Sequence, residues 1–204
     1  MLIIVSILAL ILSITIHEFS HALIADRLGD PTPRANGRLT LNPLAHADPL
    51  GTILLPLISA LTSIPTIGWA KPVPIDPYNL ARPRRDEILI SIAGPLSNLF
   101  MAVLFTVLLR TILPYQFMSN FILINVSLAI FNLIPIWPLD GSKILLNLLP
   151  PSAASQWEEI LSRYSLPLLL IALFLPINGS NLLSIIMTPL INLVLKILIT
   201  FPQL

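Results

Sequence analysis

Long apolar runs, separated by short polar stretches, dominate this chain. A membrane-spanning helix needs about 20 predominantly apolar residues. The pattern predicts membrane-embedded helices at Leu2 to Leu28, Leu50 to Ile67, Glu87 to Leu113 and Phe121 to Ile136, followed by an apolar tail from Ser165 to Phe201. We therefore expect an all-α polytopic membrane protein with five to six membrane-embedded helices.

Helix breakers divide two of these segments. Pro56 and Pro65 interrupt the second segment, and Pro176, Asn178 and Gly179 divide the tail into two helices. A short amphipathic stretch, Gln156 to Arg163, precedes the tail. Residues 29–49 and 68–85 are rich in proline and turn formers, which indicates loops or short extended pieces.

Lysine and arginine favour the cytoplasmic side of a membrane and so predict the orientation of the helices. If the basic residues between the segments are cytoplasmic, the first helix runs inward, the third outward and the fourth inward. The second segment then begins and ends on the same side, which favours a proline-rich re-entrant hairpin between the first and third helices. The alternative is a true span with a basic outer loop. The basic residues are Arg27, Arg34, Arg38, Lys71, Arg82, Arg84, Arg85, Lys143 and Arg163.

Composition agrees with a membrane protein. Of 204 residues, 55% are hydrophobic and 10% are charged, whereas about a quarter are charged in soluble domains. We expect one membrane-embedded domain over residues 1–204, with the lipid bilayer as a partner. We expect the first helix to be retained, because it lacks a basic start and a cleavage site. The net charge of +1 argues against nucleic acid, and the absence of cysteine excludes disulfides and thiolate-bound metals.

The first helix ends in the cluster His17-Glu18-Phe19-Ser20-His21. Residues four apart lie on the same helix face, so both histidines can bind one zinc ion, with Glu18 placed to take a proton from water. The alternative is two solvated histidines at a helix end. Ionisable groups that close an apolar helix are usually functional, which favours the metal site.

A catalytic zinc site usually has three protein ligands. Without cysteine, the third ligand must be His46, an aspartate or a glutamate. Most carboxylates lie in loops or beside arginines. Asp140 instead follows an apolar span, after Pro135 and Pro138, which end the helix, and before Gly141, which allows a sharp turn. We favour Asp140 as the ligand; the alternative is a turn at the membrane surface.

Three further polar residues are candidates. Asn132 and Asn98 are amides in apolar segments and need partners. Each could bind a neighbouring helix, or a substrate carbonyl or oxyanion near the zinc. Gly94 and Pro95, just before Asn98, permit close backbone approach and local unwinding. His46 could support the site, act as a gate or lie in a plain turn.

Three motifs in order resemble those of the site-2 protease family of intramembrane zinc metalloproteases. They are H-E-x-x-H at 17–21, A-G-P-x-x-N at 93–98 and N-x-x-P-x-x-P-x-D-G at 132–141. The chain is similar to a small bacterial branch that has no PDZ or CBS domains and that carries "LNPLAHADPLGTILLP" and "GWAKPVP" between the first two motifs. The resemblance covers about residues 10–150, which would be the catalytic core, with accessory C-terminal helices at about 164–204.

The resemblance implies one Zn²⁺ per chain, held by His17, His21 and Asp140, with Glu18 as the catalytic base. It implies that Asn132 helps to hold the substrate or transition state and that Asn98 lines or braces the cleft. The expected substrate is a transmembrane protein or peptide. The expected location is a bacterial cell membrane, with the active site near the cytoplasmic face. Homo-oligomerisation is left open.

Other readings remain at this stage. A metal-ion transporter would distribute polar residues through several spans, whereas here they cluster at two helix ends. A different membrane zinc protease would take a glutamate ligand, but Glu87, Glu158 and Glu159 lie in no matching helical context. An inactive protease-like scaffold would lack part of the site, whereas all the ligands are present.

Overall fold

The computed structural model describes residues 2–54, 70–109, 115–177 and 179–200. Eight α-helices lie in these residues: α1 Leu2–Arg27, α2 Thr32–Ala35, α3 Pro43–His46, α4 Pro83–Leu109, α5 Tyr115–Asn132, α6 Asp140–Leu148, α7 Pro151–Phe174 and α8 Leu182–Thr200. A π-helical turn, Pro49–Leu54, and a 3₁₀-helix, Pro77–Asn79, add to them. The prediction of an all-α chain is confirmed, apart from a two-residue antiparallel pair, Pro176–Ile177 with Ser180–Asn181.

Two helices, Val5–Arg27 and Pro83–Leu108, are long and apolar enough to cross a bilayer, and Met118–Asn132 and Leu182–Leu198 are shorter apolar helices. The number of spans therefore stays a prediction. The predicted hairpin at 50–67 lies mostly outside the described residues. Of the predicted loops, residues 43–46 form the short helix α3, and residues 70–76 form neither helix nor strand.

The structure corrects several predicted boundaries. Helix α4 begins at Pro83 rather than Glu87, because proline suits the first helical turn and the Asp86 carboxylate accepts a hydrogen bond from the Arg82 backbone N–H at 2.8 Å. Helix α5 ends at Asn132 rather than Ile136, since the ring of Pro135 would clash with a helical carbonyl four residues earlier.

The C-terminal part also differs from the prediction. The amphipathic stretch and the first half of the tail form one helix, α7, which passes through Pro167. The predicted break is confirmed: α7 ends at Phe174, and Gly179 has a φ of +83° that suits glycine. The short helix α6, which begins at Asp140, was not predicted.

Helix α4 lies at the centre and packs against α1, α5 and α6, while α8 packs mainly on α5. One apolar cluster joins Ala25 of α1 to Ile90 of α4 through Leu80. Another joins Ala102 of α4 to Ile122 and Val126 of α5. Many large apolar side chains on α1, α4, α7 and α8 are exposed; exposed apolar surface of this extent suits contact with lipid. The packing brings the middle of α4 against the second half of α1, where the site lies.

Candidate metal centre

Two histidines on α1 point into the protein one helical turn apart. His17 and His21 are each 6% exposed, and their Nε2 atoms lie 3.0 Å apart. Because α1 continues without interruption to Arg27, the four-residue spacing places both rings on the face that packs against α4. The predicted pairing of these side chains is therefore present in the structure.

Asp140 joins them from far along the chain. Its Oδ2 lies 3.1 Å from His17 Nε2 and 3.3 Å from His21 Nε2. Among the described residues, these three form the one group of histidine and carboxylate side chains that could hold a metal ion.

Two contacts hold Asp140 in place at the start of α6. The Trp137 backbone N–H donates to the hydroxyl of Ser165 on α7 at 3.1 Å. Gly141 lies so close to the end of α5 that a Cβ there would meet the carbonyl oxygens of Leu133 and Ile134, the latter at 2.5 Å. Gly141 is part of α6, so its role is this close approach and not the sharp turn that we predicted.

The hydrogen bonds on the far side of each ring leave the Nε2 atoms free. His21 Nδ1–H donates to the carbonyl oxygen of Ile90 at 2.7 Å, and His17 Nδ1–H donates to Asn98 Oδ1 at 2.6 Å. A neutral imidazole protonated at Nδ1 carries a lone pair at Nε2. Two such lone pairs and the Asp140 carboxylate oxygen therefore converge on one point. These groups repel one another unless a cation lies between them.

The size of this triangle suits zinc. Ligand atoms at about 2.0–2.1 Å from a tetrahedral zinc ion are about 3.3 Å apart. The three separations here, 3.0, 3.1 and 3.3 Å, are close to that value. The nitrogen and oxygen donors are also those of a catalytic zinc site, in which a fourth position is left for water. The residues present fit the predicted metal.

Gly94 of α4 faces the two histidines directly. A Cβ at this position would lie 2.6 Å from His17 Nε2 and closer still to His21 Nε2. Helix α4 continues through Gly94 and Pro95 without a break, so the local unwinding that we predicted is absent. Glycine is needed because the ring nitrogens and the space for the metal lie against the helix backbone.

The other predicted residues lie at different places. Glu18 is half-buried beside His17 and interacts electrostatically with His21. Asn98 accepts a hydrogen bond from His17, a contact that agrees with the predicted bracing role, which stays a prediction. Asn132 is the last residue of α5, where its side-chain amide donates to the carbonyl of Leu128 at 3.0 Å; its catalytic role stays a prediction.

His46 is not part of the group around Asp140. It is 2% exposed, and its Nε2–H donates to the carbonyl of Thr40 at 2.9 Å. Its own carbonyl accepts from the Lys71 backbone N–H at 3.0 Å, which joins the two proline-rich stretches. The buried Nδ1 has no hydrogen-bond partner in the part of the chain that the structure describes.

Sequence reasoning missed four contributors to the site. The Ile90 carbonyl carried no signal, since any residue supplies one. Asn125 and Ser13, which lie behind Asn98, are polar residues in apolar helices and could have been found by the argument used for Asn132. Ser165 would have required knowledge of how α7 packs.

The chain is similar to one peptidase family and to several bacterial proteins. The model of peptidase family M50 matches residues 111–172. "Putative zinc metalloprotease YwhC" of Bacillus subtilis is 36% identical over 199 residues, which cover 91% of this chain and 85% of that protein. "Putative zinc metalloprotease Rip2" of Mycolicibacterium smegmatis is 34% identical over 72% of this chain and 60% of its own length. "Stage IV sporulation protein FB" of Bacillus subtilis is 37% identical over 65 residues, 31% of this chain. No solved structure matches the chain significantly.

Proposed function

Because the chain belongs to peptidase family M50, the site-2 protease family, we propose that it is an intramembrane zinc metalloprotease. It hydrolyses peptide bonds in or near the transmembrane segments of membrane proteins. The names of its relatives support a zinc-dependent protease. The intramembrane location of the reaction is inferred from the position of the site on α1.

The observation that carries this proposal is the convergence of His17, His21 and Asp140. Their three donor atoms lie within 3.3 Å of one another and are held by hydrogen bonds on the far side of each histidine ring. Glu18 follows the first ligand directly. A structural zinc site is closed by four protein ligands, whereas three donors converge here and leave a fourth position for water. A hydrolase also needs a base beside the metal, which is the place of Glu18.

When bound, zinc would lower the pKa of water to about 7 and polarise a substrate carbonyl. Glu18 takes the proton from the attacking water and passes it to the leaving amine. Glu18 is available for this role because the Nδ1–H groups of His17 and His21 donate to Asn98 and to the Ile90 carbonyl, and not to Glu18. One amide hydrogen of Asn132 is donated to the carbonyl of Leu128. The second amide hydrogen can donate to a substrate carbonyl.

The position of the site along α1 supports cleavage within the membrane, near its cytoplasmic face. His21 lies six residues before Arg27, which corresponds to about 9 Å along the helix axis, and His17 lies about 15 Å before it. The hydrocarbon core is about 30 Å thick. If the basic end of α1 is cytoplasmic, the metal lies in the inner half of the bilayer.

A helical substrate must become extended before its carbonyls can be attacked. Residues 70–76, which form neither helix nor strand, would assist by pairing with the extended chain as an added strand. The predicted contribution of residues 41–49 is not proposed, because residues 43–46 form helix α3. The bond from the Lys71 N–H to the His46 carbonyl ties residues 70–76 to α3. Pro72 and Pro74 lack a backbone N–H, but Val73 and Ile75 keep theirs.

The test uses the full chain, purified and reconstituted with zinc and a transmembrane peptide substrate. Glu18→Gln should keep its zinc and lose at least about 100-fold in cleavage rate, the range of a missing general base. Glu158→Gln, which changes an exposed glutamate on α7, is the matched control and should cleave normally. Cleavage by Glu18→Gln at the wild-type rate would refute the assignment, and zinc transport without cleavage would favour a transporter.

A further inference from the structure

Three polar side chains meet in the otherwise apolar interface of α1, α4 and α5. Ser13, Asn98 and Asn125 are each at most 1% exposed. Burying an amide is costly unless its donors and acceptors are all satisfied. Here every one of these groups has a partner, and the partners form a chain that ends at His17.

Backbone carbonyls, which only accept hydrogen bonds, fix the donor-to-acceptor direction of this hydrogen-bond series at the end far from His17. The Asn125 amide nitrogen donates to the carbonyl of Phe121 at 2.9 Å and to the Ser13 hydroxyl at 2.8 Å. The Ser13 hydroxyl in turn donates to the carbonyl of Ala9 at 2.7 Å, so it can only accept from Asn125. Asn125 must therefore present its oxygen, Oδ1, to Asn98.

Asn98 is oriented by the same logic. Its amide nitrogen donates to Asn125 Oδ1 at 3.0 Å and to the Ser13 carbonyl at 3.3 Å. Both amide hydrogens are thereby used, and Oδ1 faces His17 Nδ1. An oxygen in this place requires the imidazole proton to be on Nδ1. A reversed amide would donate to Nδ1 and force the proton onto Nε2, where a metal ligand must carry a lone pair.

We propose that Asn125, assisted by Ser13, is a positioning residue that locks the Asn98 amide and thereby holds His17 in the tautomer that binds metal. The inference rests on the proposed function. His21 has no need of such support, because the backbone carbonyl of Ile90 fixes its tautomer directly. The two histidine ligands are thus oriented differently, one by the backbone and one by a relay of side chains.

The experiment measures the zinc affinity of the purified full chain by competition with a chelator. Asn125→Leu keeps the side-chain size but removes the oxygen that faces Asn98, and its zinc Kd should rise about tenfold, the usual effect of losing a residue that orients a ligand.

Asn120→Leu is the matched control. Asn120 lies on α5 like Asn125, and its amide also donates to a serine of α1, Ser6, at 3.4 Å, but it is outside the relay. Its zinc Kd should equal that of wild type. An equal loss in Asn120→Leu would point to packing rather than to amide orientation and would overturn the inference. An unchanged Kd in Asn125→Leu would overturn it as well.

A second readout begins with the wild type, so its main result does not depend on whether a variant folds. In ¹⁵N NMR spectra of the zinc-loaded wild type, the His17 ring proton should be on Nδ1 and exchange slowly with water; in Asn125→Leu it should exchange faster. A proton on Nε2 in wild type would overturn the inference. If wild type binds no zinc at all, the proposed function fails instead, so the two failures are distinguishable.

Discussion

Replacing Gly94 by alanine should separate metal binding from folding. The added Cβ would lie 2.6 Å from His17 Nε2, whereas non-bonded contacts begin at about 3.4 Å, so the ring would have to move by about 0.8 Å. Metal–ligand distances are held to about ±0.2 Å. We therefore expect the zinc Kd of Gly94→Ala to rise at least about 100-fold, beyond the usual effect of an outer residue.

The fold itself should tolerate the change. In the middle of a helix, alanine is more favourable than glycine by about 0.5–1 kcal/mol. In the absence of metal the two rings can shift from the methyl group only by straining their hydrogen bonds to Asn98 and Ile90, worth about 1 kcal/mol each. The two effects offset one another, so the free energy of unfolding of the zinc-free variant should lie within about 1–2 kcal/mol of that of the zinc-free wild type.

The assay is unfolding with and without zinc. At a zinc concentration of 100 times the wild-type Kd, zinc stabilises wild type by about 2.7 kcal/mol. With a Kd raised 100-fold, the same concentration stabilises the variant by only about 0.4 kcal/mol. Gly37→Ala is the control. A Cβ there would meet nothing within 4 Å, but the φ of +67° strains alanine, so this variant should lose stability equally with and without zinc and keep the full zinc effect. The reasoning is refuted if Gly94→Ala is stabilised by zinc as strongly as wild type.

Three further changes test the parts that support the site. Ser165→Ala removes the acceptor of the Trp137 N–H, a hydrogen bond worth about 1 kcal/mol. Its zinc Kd, measured by chelator competition, should rise about fivefold. An unchanged Kd would show that α7 does not hold the turn before Asp140. Gly141→Ala places a Cβ against the Leu133 carbonyl and should prevent both zinc binding and stable folding, as circular dichroism and zinc content would show; a folded, zinc-binding variant would contradict the close approach. Burial opposes ionisation of Asp30, but hydrogen bonds from Thr32, Asn79 and Asp76 more than offset it and lower the pKa of Asp30. A carboxyl with a lowered pKa stabilises the fold above its ordinary pKa and loses that effect as the pH falls through its folded value. In denaturant unfolding, Asp30→Asn should therefore be less stable than wild type by about 2 kcal/mol at pH 7. Below about pH 4 the difference in the free energy of unfolding should shrink. A constant difference across this pH range would contradict the role of the charge.

The residues of the candidate site could be predicted because their chemistry leaves few choices. Without cysteine, a zinc site in an apolar chain needs histidines and a carboxylate, and Asp140 was the one carboxylate that followed an apolar span with no adjacent cation. The four-residue spacing of His17 and His21 put both on one helix face, and their place at the end of an apolar helix favoured a metal site over two solvated histidines. The structure brings all three together.

The surroundings of the site could not be predicted in the same way, because they depend on how helices pack. Gly94 and Gly141 were noticed, but whether a glycine serves a turn or a close approach is decided by what lies opposite. For Gly141 that is the end of α5, and for Gly94 it is the pair of histidines. The sequence did not distinguish Asn125 from other amides in apolar helices, because its partners, Asn98 and Ser13, lie on other helices and meet it only through packing.

The boundaries that differed have local causes. Helix α4 begins early because the Asp86 carboxylate accepts from the Arg82 backbone N–H at its start. The prolines and turn formers of residues 68–85 had indicated a loop there. Helix α6 is short and has a polar first turn, so neither its length nor its hydropathy distinguished it from a loop. Its first residue is nevertheless Asp140, the proposed third ligand.

X-ray absorption of the purified, zinc-loaded chain tests the central claim most directly. The account predicts one zinc per chain, bound by two imidazole nitrogens and by oxygen ligands at about 2.0–2.1 Å, and the loss of this spectrum in Asp140→Ala. A chain that binds no zinc, or whose zinc spectrum lacks imidazole and is unchanged in Asp140→Ala, would contradict it.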